Sequence, residues 1–176
     1  MKIGLRFSLI SAAAAWLTCL AFAQAPQTLT LKDAETIALA NHPGIQAWLA
    51  EAALPNVLPP IVLDVNGSWP KQAYDGVFTA NTLHIVSWES AQKLIAGAAS
   101  VLKQGGRLVI YGPFNYHGSF TSDSNARFDE WLKNRDPASG IRDFEAVGQC
   151  AESHGLRLET DHAMPANNRL LIFIKT

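Results

Sequence analysis

Short runs of branched and aromatic residues alternate with helix-patterned stretches from residue 56 to residue 176, and that alternation leaves few folds open. The sharpest unit is "SWESAQKLIAGAASVLKQGGRLVIYGPF". Ser87 suits a helix N-cap, and Leu94, Ile95, Ala98, Val101 and Leu102 recur at helical spacing. Lys103 suits a last turn, and Gly105-Gly106 offers a left-handed stop. "RLVIYGPF" then reads as a strand buried on both faces.

The same pattern extends in both directions. "NVLPPIVLDV" predicts a buried strand ending near Asp64, with Pro59 and Pro60 at its entry. "YDGVFTANTLHIV" predicts another centred on Val77 and Phe78, with the polar residues Asn81, Thr82 and His84 at its exit. "IRDFEAVGQCAESHG" repeats the helix-then-glycine pattern, with Phe144, Val147 and Ala151 inward and Cys150 as a core thiol. "LRLETDHA" and "RLLIFIKT", joined by "MPANN", close the chain as a strand pair whose turn Asn167 and Asn168 serve. The expectation is an α/β sheet ending in an antiparallel hairpin. The stretch 115–140 is too long for a plain connection and is expected to cover a site, with Arg127, Asp129 and Arg135 on a solvated helix face. Ligands of open α/β sheets bind outside the strands' carboxyl ends, so the candidates cluster at Asp64, at residues 81–84 and at residues 111–116.

Residues 1–44 read differently. Lys2 and Arg6 precede an apolar run from residue 7 to 22 that ends in Ala21-Phe22-Ala23. That is the pattern of a signal peptide covering residues 1–23, which predicts export to the periplasm or envelope. A stable membrane span is not expected, because spanning takes about 20 apolar residues. Residues 24–44 contain "QTLTLKDAETIALANHPG", a helix with Thr30 as cap and Pro43-Gly44 as stop. This stretch resembles the start of the TolC-type outer-membrane efflux family, which implies an efflux-protein helix.

Composition excludes several classes. A net charge of -1 without a basic run argues against nucleic-acid binding. The two cysteines, Cys19 and Cys150, and the scattered histidines give no metal spacing, so no metal is expected. No G-x-S-x-G turn occurs, which weakens a hydrolase reading.

The segments "LPNVLPPIVLDV", "ANTLHIVSW", "GGRLVIYGPFNYHGSFTSDSNARFDEWL", "GIRDF" and "DHAMPANNRLL" together resemble a class I methyltransferase-like family described as a domain of unknown function. The resemblance covers residues 45–176. It implies a Rossmann-like sheet of order 3-2-1-4-5-7-6 and S-adenosylmethionine as cofactor. By that resemblance Asp64 and Val65 would hold the adenine, and Asn81, Thr82 and Leu83 would lie beside the methionine part. The loop from Gly112 would close over the acceptor. Within that loop Asn115 and Tyr116 are candidates to orient an acceptor amine or hydroxyl, with Tyr111, Phe114 and Arg127 as further acceptor contacts. His84 is the candidate general base, and a helix-entry histidine bonded to backbone is the alternative.

The glycine-rich cofactor turn of such enzymes is absent, since no G-x-G occurs. The expected fold is therefore a truncated sheet lacking its first two strands, preceded by the signal and one helix. Without those strands Asp64 would lie about 9–10 Å from its family position, and two unpaired edges would favour self-association. Three functions stay open: a weak or inactive methyltransferase-like domain acting on a small-molecule or protein acceptor, an envelope protein, and a non-functional fusion of two reading frames.

Overall fold

A computed structural model describes residues 51–53, 55–58 and 61–176. The signal peptide and the efflux-like helix lie outside the described residues. The chain divides into two compact units, Met1–Val62 and Leu63–Thr176. Glu51 and Ala52 are helical, and Ala53 lies in a turn.

Leu63–Thr176 is built from strands β1 (Tyr74–Ala80) and β2 (Leu102–Gly112), with helix α1 (Trp88–Val101) between them. A short strand β3 (Phe114–Asn115), helix α2 (Asp123–Arg135), a short strand β4 (Arg142–Asp143) and helix α3 (Phe144–Ser153) follow. The chain ends in β5 (Leu156–Met164) and β6 (Asn168–Lys175). The main sheet has the order β1-β2-β6-β5. β1 and β2 are parallel, and β6 runs antiparallel to both β2 and β5. This is the 4-5-7-6 end of the order that the resemblance implies. β3 and β4 form a separate two-stranded parallel ladder.

Local chemistry explains most boundaries. The Ser87 hydroxyl accepts from the Ser90 N–H at 3.1 Å, which caps α1 as expected. The helix stops at Val101, however, earlier than the Gly105-Gly106 pair suggests. Tyr74 pairs with Leu102 and Gly76 with Arg107, so residues 103–106 form an excursion within β2. Gly105, with φ 75°, serves that excursion, and Lys103 binds Asp75 at 2.8 Å rather than ending a helix. The hairpin turn places both Ala166 and Asn167 at φ 58°, a left-handed conformation that suits asparagine and strains alanine.

Alternation along the strands sets the core. Leu108 and Ile110 of β2 and Leu171 and Phe173 of β6 point to one face and are fully buried with Ile95 of α1 and Val147 of α3. Burying each such side chain contributes about 1.5–3 kcal/mol. Cys150 joins this core, as the sequence predicts. Phe78, on the opposite face, is 67% exposed.

The strand expected over residues 61–65 is not one. Residues 61–64 adopt no regular structure, and residues 65–67 turn. Asp64 accepts from the Asn66 N–H at 2.9 Å through its side chain and from the Gly67 N–H at 3.0 Å through its carbonyl. Branched residues favour strands only where neighbouring peptide groups can pair. Among the described residues, β1 has no partner on its other edge. A self-satisfied Asp turn forms instead.

Candidate functional site

The parallel strands β1 and β2 deliver their carboxyl ends to one place, and a cleft of about 610 Å³ opens there. Asn81 follows β1 directly at φ 54°, a left-handed angle that asparagine tolerates. Its N–H donates to the Tyr111 carbonyl at 2.8 Å and ties the two strand ends together. The Thr82 carbonyl then accepts from the N–H groups of Ile85 and Val86 at 3.1 and 3.3 Å. That turn carries His84 into the wall of the cleft.

The residues before and within β4 clamp this turn from the far side. The Gly140 N–H donates to the His84 carbonyl at 2.9 Å, and the Ser139 hydroxyl donates to the Ile85 carbonyl at 3.1 Å. Arg142 donates to the Leu83 carbonyl at 3.1 Å, to the Ala138 carbonyl at 2.9 Å and to the Val86 carbonyl. The site loop is thus held through its backbone, which leaves the His84 ring available to the cleft.

His84 is 5% exposed and meets Phe128 edge to face, with centroids 5.3 Å apart. Burial, and secondly the Arg142 charge, push its pKa down to about 4. The imidazole is therefore neutral at pH 7. Taking a proton from a phenol of pKa ~10 would be uphill by about 8 kcal/mol at about 1.4 kcal/mol per unit. Neutral hydrogen bonding to a ligand suits His84 better than unassisted proton abstraction.

Helix α2 forms the opposite wall. Ser122 caps it by accepting from the Asn125 N–H at 3.2 Å, and Phe128, Trp131 and Leu132 face the cleft at helical spacing. Phe128 and Trp131 lie nearly parallel, 13° apart with centroids at 5.9 Å. Asn168, at the start of β6, completes the wall and donates to the Tyr111 hydroxyl at 3.1 Å.

The structure gathers only part of the candidate residues. Asn81 and His84 line the cleft. Tyr111 stands behind Asn168 as its hydrogen-bond partner. Thr82 uses its hydroxyl locally, accepting from Thr79 and donating to the Ala80 carbonyl. Leu83 and Phe114 are core residues. Val65 packs on that core, whereas Asp64 is exposed in its own turn. Tyr116 stacks on Phe144 and donates to Asp161 at 2.7 Å; burial, then that bond, push its pKa up to about 12. Arg127 is exposed on α2 and does not line the cleft.

Asn115 is 9% exposed and pairs in register with Asp143 across the β3–β4 ladder. One buried oxygen of each side chain lacks a hydrogen-bond partner. Neither residue lines the cleft.

Asp129 corrects the solvated-face expectation, since it is 4% exposed. Its carboxylate accepts from the Ile141 N–H at 2.7 Å and binds Lys133 at 2.6 Å. Sequence reading also missed Asn125, Phe128, Trp131 and Arg142. The cap at Ser122 and the Phe128, Trp131, Leu132 spacing were available signals for the first three. Arg142 had none, because its partners are 4 to 59 residues away.

A family model described as "Protein of unknown function (DUF938)" matches residues 18–175. The chain belongs to that family. The match of this DUF938 chain begins at residue 18, ahead of residue 45, where the sequence resemblance starts. Among solved structures, an O-methyltransferase family protein from Burkholderia thailandensis aligns at a TM-score of 0.63 and 18% identity, over 77% of this chain and 41% of its own. Mitomycin 7-O-methyltransferase aligns at 0.63 and 17% identity, over 74% and 38%. A methyltransferase of calicheamicin biosynthesis, solved in its SAH-bound form, aligns at 0.56 and 14% identity, over 70% and 37%. The fold is methyltransferase-like, and the DUF938 chain spans about two fifths of the length of these structures.

The described residues do not assemble the S-adenosylmethionine contacts that the sequence resemblance implies. Of the five residues that the resemblance assigns to S-adenosylmethionine, Asn81 alone lines the cleft. Asp64 Oδ1 accepts from the Asn66 N–H and side-chain amide within its own turn. Among the described residues no group of three or more His, Cys, Asp or Glu could hold a metal ion. No helix among them is long and apolar enough to cross a membrane.

Proposed function

We propose that this DUF938 chain carries the acceptor side of a methyltransferase-like site and binds a small molecule there, with methyl transfer weak or absent. The observation that carries this reading is the contrast between the β1–β2 strand ends and the turn at Asp64. The β1–β2 end opens a cleft walled by His84, Asn81 and α2. Asp64, which would hold the adenine, sits in an exposed turn bonded to itself.

In this reading the chain's own residues bind and orient. Phe128, Trp131, Leu132 and Ile85 supply an apolar wall that excludes water from one side of the ligand. His84 and the side-chain amides of Asn81, Asn125 and Asn168 fix its polar edge. Arg142 keeps the His84 loop in place without touching the ligand.

Isothermal titration of the full chain with S-adenosylmethionine and S-adenosylhomocysteine tests the reading. The expected result is no tight binding. Micromolar affinity for either would overturn it.

A further inference from the structure

We infer that the cleft takes a flat aromatic molecule carrying a hydroxyl group and no positive charge. This deepens the acceptor-side reading and rests on it.

Shape comes first. The volume of about 610 Å³ lies within the range of small-molecule sites, roughly 300–1,000 Å³. Its α2 wall is made by two aromatic rings only 13° from parallel, and Trp131 remains 53% exposed. A flat ring entering the cleft extends that stack, whereas a saturated ring of equal size meets the wall through fewer close contacts.

Charge narrows the class. Among the described residues no Asp or Glu lines the cleft, so a cationic ligand would lose its hydration without a counter-charge there. The lining does include Arg135, whose guanidinium lies 5.6 Å from the centre of the Trp131 ring. A neutral phenol is accommodated, and an ammonium group is disfavoured.

The polar edge selects a hydroxyl. The Asn125 amide nitrogen already donates to the Thr121 hydroxyl at 2.9 Å and to the Asn167 carbonyl at 3.4 Å. That of Asn168 donates to the Tyr111 hydroxyl at 3.1 Å and to the Pro165 carbonyl at 3.3 Å. Both amide nitrogens are therefore used within the protein. What these two lining amides have left for a ligand is their oxygens, acceptors that complement an O–H donor.

The test is isothermal titration of the full chain with three probes: 2-naphthol, its saturated counterpart decahydro-2-naphthol, and 2-naphthylmethylammonium. The indole N–H resonance of Trp131 is followed in parallel to locate binding. 2-Naphthol is expected to move that resonance and to bind about fivefold more tightly than either other probe. Trp131→Leu, a change at an exposed position, is expected to abolish the preference for the flat ring. Equal binding of the saturated alcohol or of the cation would overturn the inference. So would no saturable 2-naphthol binding up to its solubility limit, or binding that leaves Trp131 unmoved. These failures leave the cofactor titration untouched, and micromolar cofactor binding beside a normal 2-naphthol preference would instead sink the acceptor-side reading alone.

Discussion

The Arg142 guanidinium grips the backbone on both sides of His84, donating to the carbonyls of Leu83 and Val86. One side chain thereby does two things: it shapes the turn that presents the imidazole, and its charge helps keep that imidazole neutral.

Replacing Arg142 separates these effects. Arg142→Met leaves three carbonyls without their donor and is expected to cost about 2–3 kcal/mol in urea unfolding. The His84 pKa, followed by NMR, is expected to rise as the positive charge is removed. Arg142→Lys is expected to restore the charge effect but only part of the stability, because one ammonium cannot span the same fork of acceptors.

His84 itself links stability to pH. Its folded pKa of about 4 lies below the unfolded value near 6.5, so the unfolded chain binds more protons between them. Its contribution is present above pH 6.5 and is lost as pH falls toward 4, by up to about 3 kcal/mol. Thermal unfolding between pH 7.5 and 4.5 is expected to show a slope that His84→Leu flattens. Equal slopes for both proteins would contradict this assignment.

Much of this arrangement was legible in the residues, and the reasons differ by element. Ser87 and the α1 stripe are local signals, as is Asn167 in the turn of the terminal hairpin, and these survived folding. The failures are non-local. Residues 61–65 have strand composition, yet a strand needs a neighbour that sequence cannot guarantee. The α1 end depended on Tyr74 pairing with Leu102, and Arg142 acts through carbonyls distant in the chain. His84 and Asn81 were readable because strand ends mark the site in this fold class.

Asp129 is expected to matter more than its ion pair suggests. Asp129→Ala strands the buried Ile141 N–H and should cost about 1–3 kcal/mol. Lys133→Ala removes an exposed partner and should cost under about 1 kcal/mol. Comparable losses in chemical denaturation would show that the ion pair, not the backbone bond, is what stabilises this corner.

Gly97 reports on the packing of α1. A methyl group there would lie 2.0 Å from the Trp69 ring. Alanine would otherwise favour the helix, so any loss measures the clash. Gly97→Ala is expected to displace Trp69, shift its fluorescence to the red and lower stability by about 1–3 kcal/mol.

Amide chemical-shift mapping with millimolar S-adenosylhomocysteine asks directly whether the Asp64 turn and the end of β1 share a ligand. The expected spectrum leaves the turn at Asp64, Asn66 and Gly67 unmoved. Saturable, simultaneous movement of that turn and of Asn81 would show one cofactor spanning both, and the division between acceptor cleft and adenine position would fall.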